Sequence, residues 1–481
     1  MIERVAKREA KIAVFAVAHG VYWEQFPGLL DKMLVYHGEL CKKIGANEVT
    51  IANYGIVDSS EKAFDVAQQI NAFAPDVIFC NMITYATSSV FAPILRAALA
   101  PIVLVGLQPR KAMDYEKANT FMQLENDSIC SVPEFCGVAI RFGKKIADII
   151  LGTLYDDGSA DEKIKEWTDI AKVLHGLKGA RLALMGHVLE SMYDMHADPT
   201  AIASTFGIHV PLLEIDDLVR CFEEVTEEEI SKKVELIKAE FEMPDPKSDP
   251  VTRKLTDYDL LQSAKSAAAL DLLVAKHHLN GMAYYYEGTE GSIQRTVATS
   301  LIVGNSILNA QGIPMCGEFD IKTNIAMLIM DKLDIGGSFA ELHPFDFEDN
   351  TILIGHDGPH HIKIAQGKPI LRSLIKYHGK PGSGASVEFK LKEGPITMLG
   401  IGQKADGTFK FIIGEGYSKD GPIPPTGNTN TRGYFPPDTR DFIVRWCKEG
   451  PTHHYALGIG HRAETIKKIA DCLGIESVIV R

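Results

Sequence analysis

Short apolar runs alternate with amphipathic stretches over the first 110 residues of the chain. The apolar runs have the length and β-branched content of buried strands, and Ser59 and Ser60 precede one amphipathic stretch as helix N-cap residues. Strands that alternate with helices predict a parallel sheet covered on both faces. The predicted strands lie at 11–19, 49–57, 76–83 and 101–107, and the predicted helices at 24–44, 61–73 and 88–99.

Polar residues follow several of these strands at their carboxyl ends. Ligands of parallel sheets bind outside those ends, so His19 and Tyr85 are candidates for contact with a ligand. The sequence AVAHGVYWEQ after the first strand contains no G-x-G-x-x-G, so a dinucleotide is not expected.

A second alternating region follows the charged segment 155–167, which reads as a linker. The hydrophobic pattern there predicts another α/β unit. Its strands are expected at 181–186, 208–215, 283–288 and 314–320, and its helices at 198–207, 226–241, 257–278 and 292–308.

From about Gly336 the pattern changes to short strands separated by glycine turns. Ala405-Asp406-Gly407 is a hairpin signal, and the proline- and glycine-rich segment 421–438 is predicted to lack regular structure. We therefore predict an α/β protein with two Rossmann-like parallel-sheet domains, followed by a β-rich antiparallel C-terminal domain. The predicted boundaries are 1–176, 177–330 and 331–481.

Composition narrows the class of protein. The 481 residues include 46% hydrophobic and 23% charged residues, with a formal charge of −13, which favours a globular enzyme and gives no sign of a nucleic-acid partner. Eight scattered cysteines without a C-x-x-C pair indicate reduced thiols in a cytoplasmic protein. The longest uncharged stretch, 296–317, carries polar residues that would be costly in a bilayer, so no membrane segment is expected.

Two carboxylates stand in the segment where the second region ends and the third begins. Glu318, in the sequence Gly317-Glu318-Phe319-Asp320, ends a predicted strand, and Asp320 is placed as the N-cap of the next helix. Glu341 follows in Ser338-Phe339-Ala340-Glu341. Taken singly, the first two residues could merely cap the helix, and Glu341 could be solvated.

Histidines follow in the same segment. His356 comes directly after the apolar run ending in Gly355, and His453-His454 precede the strand YALGIG. Two carboxylates with two imidazoles and no thiolate suit Mn²⁺, Co²⁺ or Mg²⁺, and such a site could bind adjacent oxygens of a polyol. Carboxylates beside the ion could move a proton between neighbouring carbons.

These motifs together resemble the L-fucose/L-arabinose isomerase superfamily, particularly arabinose isomerases. The resemblance covers most of the chain and is carried by GEFD, FAEL, ILIGHDG and EGPTHHYAL, in that order. It implies that Glu318, Glu341, His356 and His454 bind a divalent metal, typically manganese. It also implies that the two glutamates form the acid/base pair for hydrogen transfer between C1 and C2 through a cis-enediol.

The resemblance implies further features. Asp320 and His453 would support the metal ligands, and His19 and His187 would lie in regions that recognise the sugar. Tyr85, which follows a predicted strand, is a further candidate for substrate binding. The protein would be a cytoplasmic homo-trimer or homo-hexamer of carbohydrate metabolism, with active sites shared between subunits. Its partner would be a small-molecule sugar.

Two alternatives stay open from the sequence. The segment Glu125–Cys130 lacks the histidine that arabinose isomerases carry there, which admits a non-catalytic carbohydrate-binding relative. The same chemistry would serve a metal-dependent epimerase or lyase on sugar acids, with Arg295 or Arg432 as the anion clamp.

Overall fold

The computed structural model describes residues 2–188, 192–244, 252–285, 287–374, 376–377, 380–381, 383–424 and 427–481. It divides into two compact units, one of residues 8–176 and one of residues 1–7 with 177–481. The predicted division into three domains remains a prediction. Among the described residues, no helix has both the length and the apolar character needed to cross a bilayer.

The unit of residues 8–176 is built on a parallel sheet. Its strands are β1 (Lys11–Val17), β2 (Thr50–Val57), β3 (Val77–Met82), β4 (Ile102–Gln108) and β5 (Asp148–Thr153). They are arranged in the order β2-β1-β3-β4-β5, a common doubly wound order. The helices are α1 (Tyr22–Gln25), α2 (Leu29–Gly45), α3 (Ser60–Phe73), α4 (Ala92–Ala97), α5 (Thr120–Glu125), α6 (Val132–Arg141) and α7 (Gly158–Leu177).

The segment predicted as a linker at 155–167 is instead part of a helix. Most of it belongs to the 20-residue helix α7, and Trp167 is buried with its indole N–H donating to Asp148 (2.8 Å). The charged residues of the segment occupy the exposed face of an amphipathic helix. The prediction was wrong because the charges of the segment lie on one face of a helix whose other face buries Ile164 and Trp167.

His175, near the end of α7, provides a pH-dependent contribution to stability. Its Nδ1 lies 2.9 Å from Oδ2 of the buried Asp76, and this hydrogen bond raises the pKa of His175 against the opposing effect of burial. A raised pKa stabilises the fold fully below the unfolded pKa of about 6.5 and progressively less as pH rises through the folded pKa.

We therefore expect His175→Ala to lower the thermal midpoint more at pH 5.5 than at pH 8.5. The difference should correspond to less than about 1 kcal/mol, because a third of the His175 side chain is exposed and the pair is screened by water. Thermal unfolding of both proteins across this pH range measures it. A destabilisation that grows with pH would contradict the assignment.

The other unit contains a parallel sheet and a β-rich region. Its strands are β6 (Leu182–Met185), β7 (Leu212–Leu213), β8 (Thr252–Arg253), β9 (Gly281–Tyr284), β10 (Met315–Cys316), β11 (Gly336–Asp346), β12 (Thr351–Gly355), β13 (Ile370–Leu374), β14 (Lys376–Tyr377), β15 (Lys380–Pro381), β16 (Ala385–Glu388), β17 (Gly394–Gln403), β18 (Phe409–Lys419), β19 (Thr431–Tyr434), β20 (Tyr455–Ile459) and β21 (Glu476–Val480).

From Leu182 to Lys332 the helices of this unit alternate with its strands, as they do in the unit of residues 8–176. They are α8 (Pro199–Phe206), α9 (Ile215–Glu224), α10 (Glu227–Glu240), α11 (Asp257–His277), α12 (Ile293–Ala298), α13 (Ile302–Ala310), α14 (Ile321–Lys332), α15 (Thr439–Lys448) and α16 (Ala463–Leu473). The parallel sheet has the order β10-β9-β6-β7. The predicted strand 208–215 is reduced to β7, and the predicted helix 292–308 is divided into α12 and α13.

The C-terminal region contains a closed antiparallel barrel. Among the described residues, β17, β20, β11, β12, β19 and β18 pair in turn, and β18 pairs back with β17. β21 adds to β18 in parallel. The predicted antiparallel region is therefore present, and the hairpin at Ala405–Gly407 joins β17 to β18.

The segment 421–438, predicted to lack regular structure, contributes the strand β19. Thr431–Tyr434 pairs with β12 on one side and with β18 on the other, which closes the ring. Its four residues are short of the length at which a period-2 pattern is visible, and pairing with two longer strands stabilises them.

Candidate active site

The four predicted metal ligands lie on four separate segments of the unit formed by residues 1–7 and 177–481. Glu318 sits between β10 and α14, and Glu341 lies within β11. His356 directly follows β12, and His454 directly precedes β20. Because β11 pairs with both β12 and β20, Glu341 is opposite Gly355 and Ala340 is opposite Tyr455. The barrel register thus brings the three β-region residues together.

The side chains converge on one small volume. Nε2 of His356 lies 3.6 Å from Oε1 of Glu318 and 4.0 Å from Oε1 of Glu341. Nε2 of His454 lies 3.5 Å from Oε2 of Glu318. Ligand atoms of Glu318, His356 and His454 all fall within 4.8 Å of one another, and so do those of Glu341, His453 and His454. The two groups share His454.

A turn with left-handed backbone presents Glu318 to this volume. Glu318 has φ +58° and Phe319 has φ +63°, a conformation that side-chain-bearing residues adopt at a cost of order 1–3 kcal/mol each. The N–H of Phe319 donates to the carbonyl of Tyr284 (3.0 Å), which ties the turn to β9. Among the described non-glycine residues with positive φ, these two are the only pair adjacent in sequence, so the backbone strain at this turn exceeds that at the isolated positions.

Asp320 has two structural tasks. As the N-cap of α14 it accepts hydrogen bonds from the backbone N–H (3.1 Å) and hydroxyl (2.8 Å) of Thr323. Its Oδ2 also lies 3.1 Å from Nδ1 of His454, and both side chains are fully buried. An Nδ1–H donated to Asp320 leaves the lone pair of His454 on Nε2.

That Nε2 atom provides a test of whether the residues fit a metal ion. It is buried, and no hydrogen-bond partner for it exists among the described residues. A buried polar atom without a partner is unusual, and this one points at Glu318 in a cluster of carboxylate oxygens and imidazole nitrogens. Such a donor set fits a divalent ion such as Mn²⁺, so the residues present suit the group.

Electrostatics of the cluster agree with this fit. Burial disfavours the charged form of Glu341, but a hydrogen bond from His453 and the neighbouring imidazoles lower its pKa to about 2. Burial also opposes protonation of His356, yet the nearby carboxylate of Glu318 (3.6 Å) and the charges of Asp357 and Glu341 raise its pKa to about 9. The cluster therefore favours a positive charge at its centre.

His453 supports Glu341 from the solvent side. Its Nε2 lies 2.8 Å from Oε2 of Glu341, with about half of the His453 side chain exposed. The backbone N–H of His453 donates to Oδ2 of Asp194 (2.8 Å). The hydroxyl of Tyr455 donates to the carbonyl of Glu341 (3.2 Å). The first of these bonds holds the loop that carries His453, and the second holds β11 at Glu341.

The remaining predicted site residues occupy other places. His187, after β6, lies with its ring 3.9 Å from that of Tyr285 and belongs to neither ligand group among the described residues. His19 and Tyr85, in the unit 8–176, lie together at the carboxyl ends of β1 and β3, with ring centroids 6.1 Å apart. Tyr22 joins them, 5.3 Å from His19. Their role in sugar binding stays a prediction.

Sequence reasoning missed residues that shape the cluster. The ring of Phe339 packs against the imidazoles of both His356 (4.4 Å) and His454 (4.2 Å). Phe339 and Glu341 are two apart on β11 and so share a face, a signal that the period-2 rule could have found. Asp194 and Lys322 were also missed, and no local pattern marks them.

A search for similar proteins relates this fold and cluster to sugar isomerases. No protein-family model matches the chain. A curated L-arabinose isomerase of Nocardioides sp. is 23% identical over 410 residues, covering 83% of this chain and 79% of the relative. Another, from Cellvibrio japonicus, is 22% identical over 473 residues, covering 93% and 91%. A sulfoquinovose isomerase of Alkalicoccus urumqiensis is 20% identical over 316 residues, covering 65% and 68%.

These similarities confirm the resemblance that the motifs indicate. The chain is arabinose isomerase-like, and the similarity extends over most of its length and most of the length of the L-arabinose isomerases named above.

Proposed function

We propose that the protein is a metal-dependent aldose–ketose isomerase, an intramolecular oxidoreductase that interconverts a free aldose and its ketose through a cis-enediol. The observation that carries the proposal is that Glu318, Glu341, His356 and His454 lie together beside Nε2 of His454, a buried atom without a hydrogen-bond partner in the described part of the chain. The names of the similar proteins, L-arabinose isomerase and sulfoquinovose isomerase, support the reaction class.

The carboxylates of Glu318 and Glu341 would move the proton. The C2–H bond breaks, one carboxylate takes the proton and a proton is returned to C1, while the hydroxyl proton of O2 passes to O1. No external oxidant or reductant is consumed. Glu318, Glu341, His356 and His454 would hold a divalent ion, Mn²⁺ in the first place and Co²⁺ or Mg²⁺ as alternatives, and that ion would stabilise negative charge on the enediol.

The alternative of a sugar-acid epimerase or lyase has less support. Its proposed anion clamp, Arg432, is in ion pairs with Asp346 (3.2 Å) and Asp349. Arg295 donates to the carbonyl of Gly288 (3.2 Å). The non-catalytic alternative is disfavoured because a binder has no need for two carboxylates beside the substrate carbons.

Removal of metal tests the proposal. We expect turnover of at least one aldose from a panel containing L-arabinose, L-fucose and sulfoquinovose, measured by ketose formation. Dialysis against a chelator should lower the rate by about 100-fold or more, because charge on the enediol is then uncompensated, and Mn²⁺ should restore it. Metal content is measured in parallel.

Other results of these experiments would exclude the proposed mechanism or support one of the alternatives. Full activity in protein shown to be metal-free would exclude the metal-dependent mechanism. Binding of Mn²⁺ and sugar without any turnover would identify the carbohydrate-binding alternative. Loss of water from a sugar acid, followed by NMR in D₂O, would identify the lyase. Deuterium entering C1 of the ketose without carbon–oxygen cleavage would agree with the isomerase.

Finer features of the assembly remain part of the proposal. The resemblance implies two Rossmann-like domains, residues 1–176 and 177–330, and a β-rich domain, residues 331–481. It also implies a trimer or hexamer with active sites shared between subunits. Mass measurement in solution distinguishes the oligomers.

A further inference from the structure

Lys322 is a buried cation for which the proposed reaction has no use. It lies in the first turn of α14, two residues after the N-cap Asp320, and only 3% of it is exposed. Its ammonium donates to the backbone carbonyls of Asp194 and, at 3.5 Å, of His196. Burying a lysine is costly unless its charge is well solvated, so this arrangement requires a reason.

The two carbonyls belong to a short turn that reaches the active site. A 3₁₀ turn, Tyr193–Met195, is anchored by the buried Met195 and exposes Asp194. Oδ2 of Asp194 accepts the backbone N–H of His453 (2.8 Å), and His453 in turn lies 2.8 Å from Glu341. A continuous series of contacts therefore runs from Lys322 to the carboxylate of Glu341.

We propose that Lys322 and Asp194 are positioning residues for the reaction: the buried ammonium holds the 193–196 turn, and Asp194 holds His453 against Glu341. This inference rests on the proposed function and deepens it. Since Asp320 on the same helix end binds His454, the start of α14 would orient both histidines of the His453-His454 pair.

The geometry beside Lys322 makes the inference testable by chemical rescue. A polar cavity of about 230 Å³ adjoins Lys322, with Asp194, His196 and Thr452 in its lining. The cavity is large enough for a small alkylammonium ion to enter when the lysine side chain is shortened. An ion with N–H donors would replace the missing ammonium at the two carbonyls, whereas tetramethylammonium has the charge without the donors.

The first experiment measures kcat and KM of Lys322→Ala with Mn²⁺ bound. We expect kcat to fall by about 10- to 100-fold, with a smaller change in KM, because a support of a reacting group is lost. n-Butylammonium or n-propylammonium should restore part of kcat, and tetramethylammonium should not. Wild-type kcat in Lys322→Ala, or equal rescue by tetramethylammonium, would overturn the proposal.

A matched control lies at the other end of the same helix. Lys332 is also buried, and its Nζ donates to the carbonyl of Lys7 (2.9 Å). Lys332→Ala also removes a buried ammonium from α14, but at the end of the helix opposite to Lys322, where the ammonium binds Lys7 and not the 193–196 turn. It should leave kcat per folded molecule within about twofold of wild type. An equal loss in both variants would assign the effect to general destabilisation and overturn the inference.

Asp194 offers variants at an exposed position, where folding is less at risk. Asp194→Asn keeps an acceptor oxygen for the N–H of His453 and should retain most of kcat. Asp194→Ala removes the acceptor and should resemble Lys322→Ala. Loss in both Asp194 variants, or in neither, would contradict a role through this hydrogen bond.

Amide hydrogen exchange separates this inference from the proposed function. Without Lys322, protection of the backbone N–H of His453 should fall by about tenfold or more, whether or not any sugar is turned over. If wild-type protein isomerises no aldose but exchange at His453 rises in Lys322→Ala, the function is wrong and the positioning stands. If wild-type protein is active and exchange at His453 is unchanged, the positioning is wrong.

Discussion

Replacing Glu318 with glutamine should lower kcat by at least about 1,000-fold, the largest effect expected of any single substitution. The amide keeps the size of the side chain but can neither take a proton from C2 nor supply a negative charge to a metal ion. Glu318 is 7% exposed and faces both His356 and His454, so bulk water has little access to compensate for the loss of its negative charge. Steady-state isomerisation with Mn²⁺ measures the effect.

Metal binding should weaken with activity in this variant. Titration with Mn²⁺ is expected to give a dissociation constant raised by about 10-fold or more, because loss of a ligand weakens binding at least as much as loss of a supporting group does. The matched control is Glu348→Gln, the same chemical change on the exposed turn between β11 and β12. It should leave kcat within about twofold, as surface substitutions usually do. Substantial turnover by Glu318→Gln would exclude Glu318 as an acid/base group.

Replacing Asp320 with asparagine should have the second largest effect, without touching any group proposed to contact the substrate. The asparagine keeps one oxygen for the N-cap bonds from Thr323, but it no longer offers a carboxylate to Nδ1–H of His454. The imidazole then loses the partner that keeps the Nε2 lone pair directed at Glu318. We expect Mn²⁺ affinity to fall by about 10- to 100-fold.

Stability should respond to this substitution as well. Asp320 is fully buried, and an unpaired polar group at that position costs about 1–3 kcal/mol of unfolding free energy. Thr323→Val is a matched control, because it removes the 2.8 Å hydroxyl bond to Asp320 and leaves the backbone bond and His454 in place. It should lower stability with little change in Mn²⁺ affinity. Equal losses of affinity in both variants would mean that Asp320 acts only as a helix cap.

The two roles of Asp320 illustrate which contacts a local sequence pattern can predict. An aspartate three residues before Thr323 at the start of a helical pattern predicts an N-cap, and the structure has that cap. The bond to His454 joins residues 134 positions apart, which no local pattern can indicate. A motif resemblance could suggest a supporting role, but only the folded chain identifies the atom that it supports.

Errors of prediction have the same origin. Residues 158–167 are helical because apolar side chains among them, such as that of Trp167, pack into a core. β19 exists because β12 and β18 provide partners on both sides. In both places tertiary contacts outweigh local composition. The roles of Lys322 and Asp194 were not predicted, because no local sequence pattern distinguishes a buried lysine or a turn aspartate with a distant partner from other residues of the same type.

The sequence by itself determined the alternation of strands and helices over the first two-thirds of the chain, the change to short strands near Gly336, and the ordered motifs around Glu318, Glu341, His356 and His454. Those features depend on hydrophobic periodicity and residue type, which are local. Only the tertiary structure decided that the four side chains meet. Their meeting depends on the register of the closed barrel and on the left-handed turn at Glu318, which are set by pairings between distant strands.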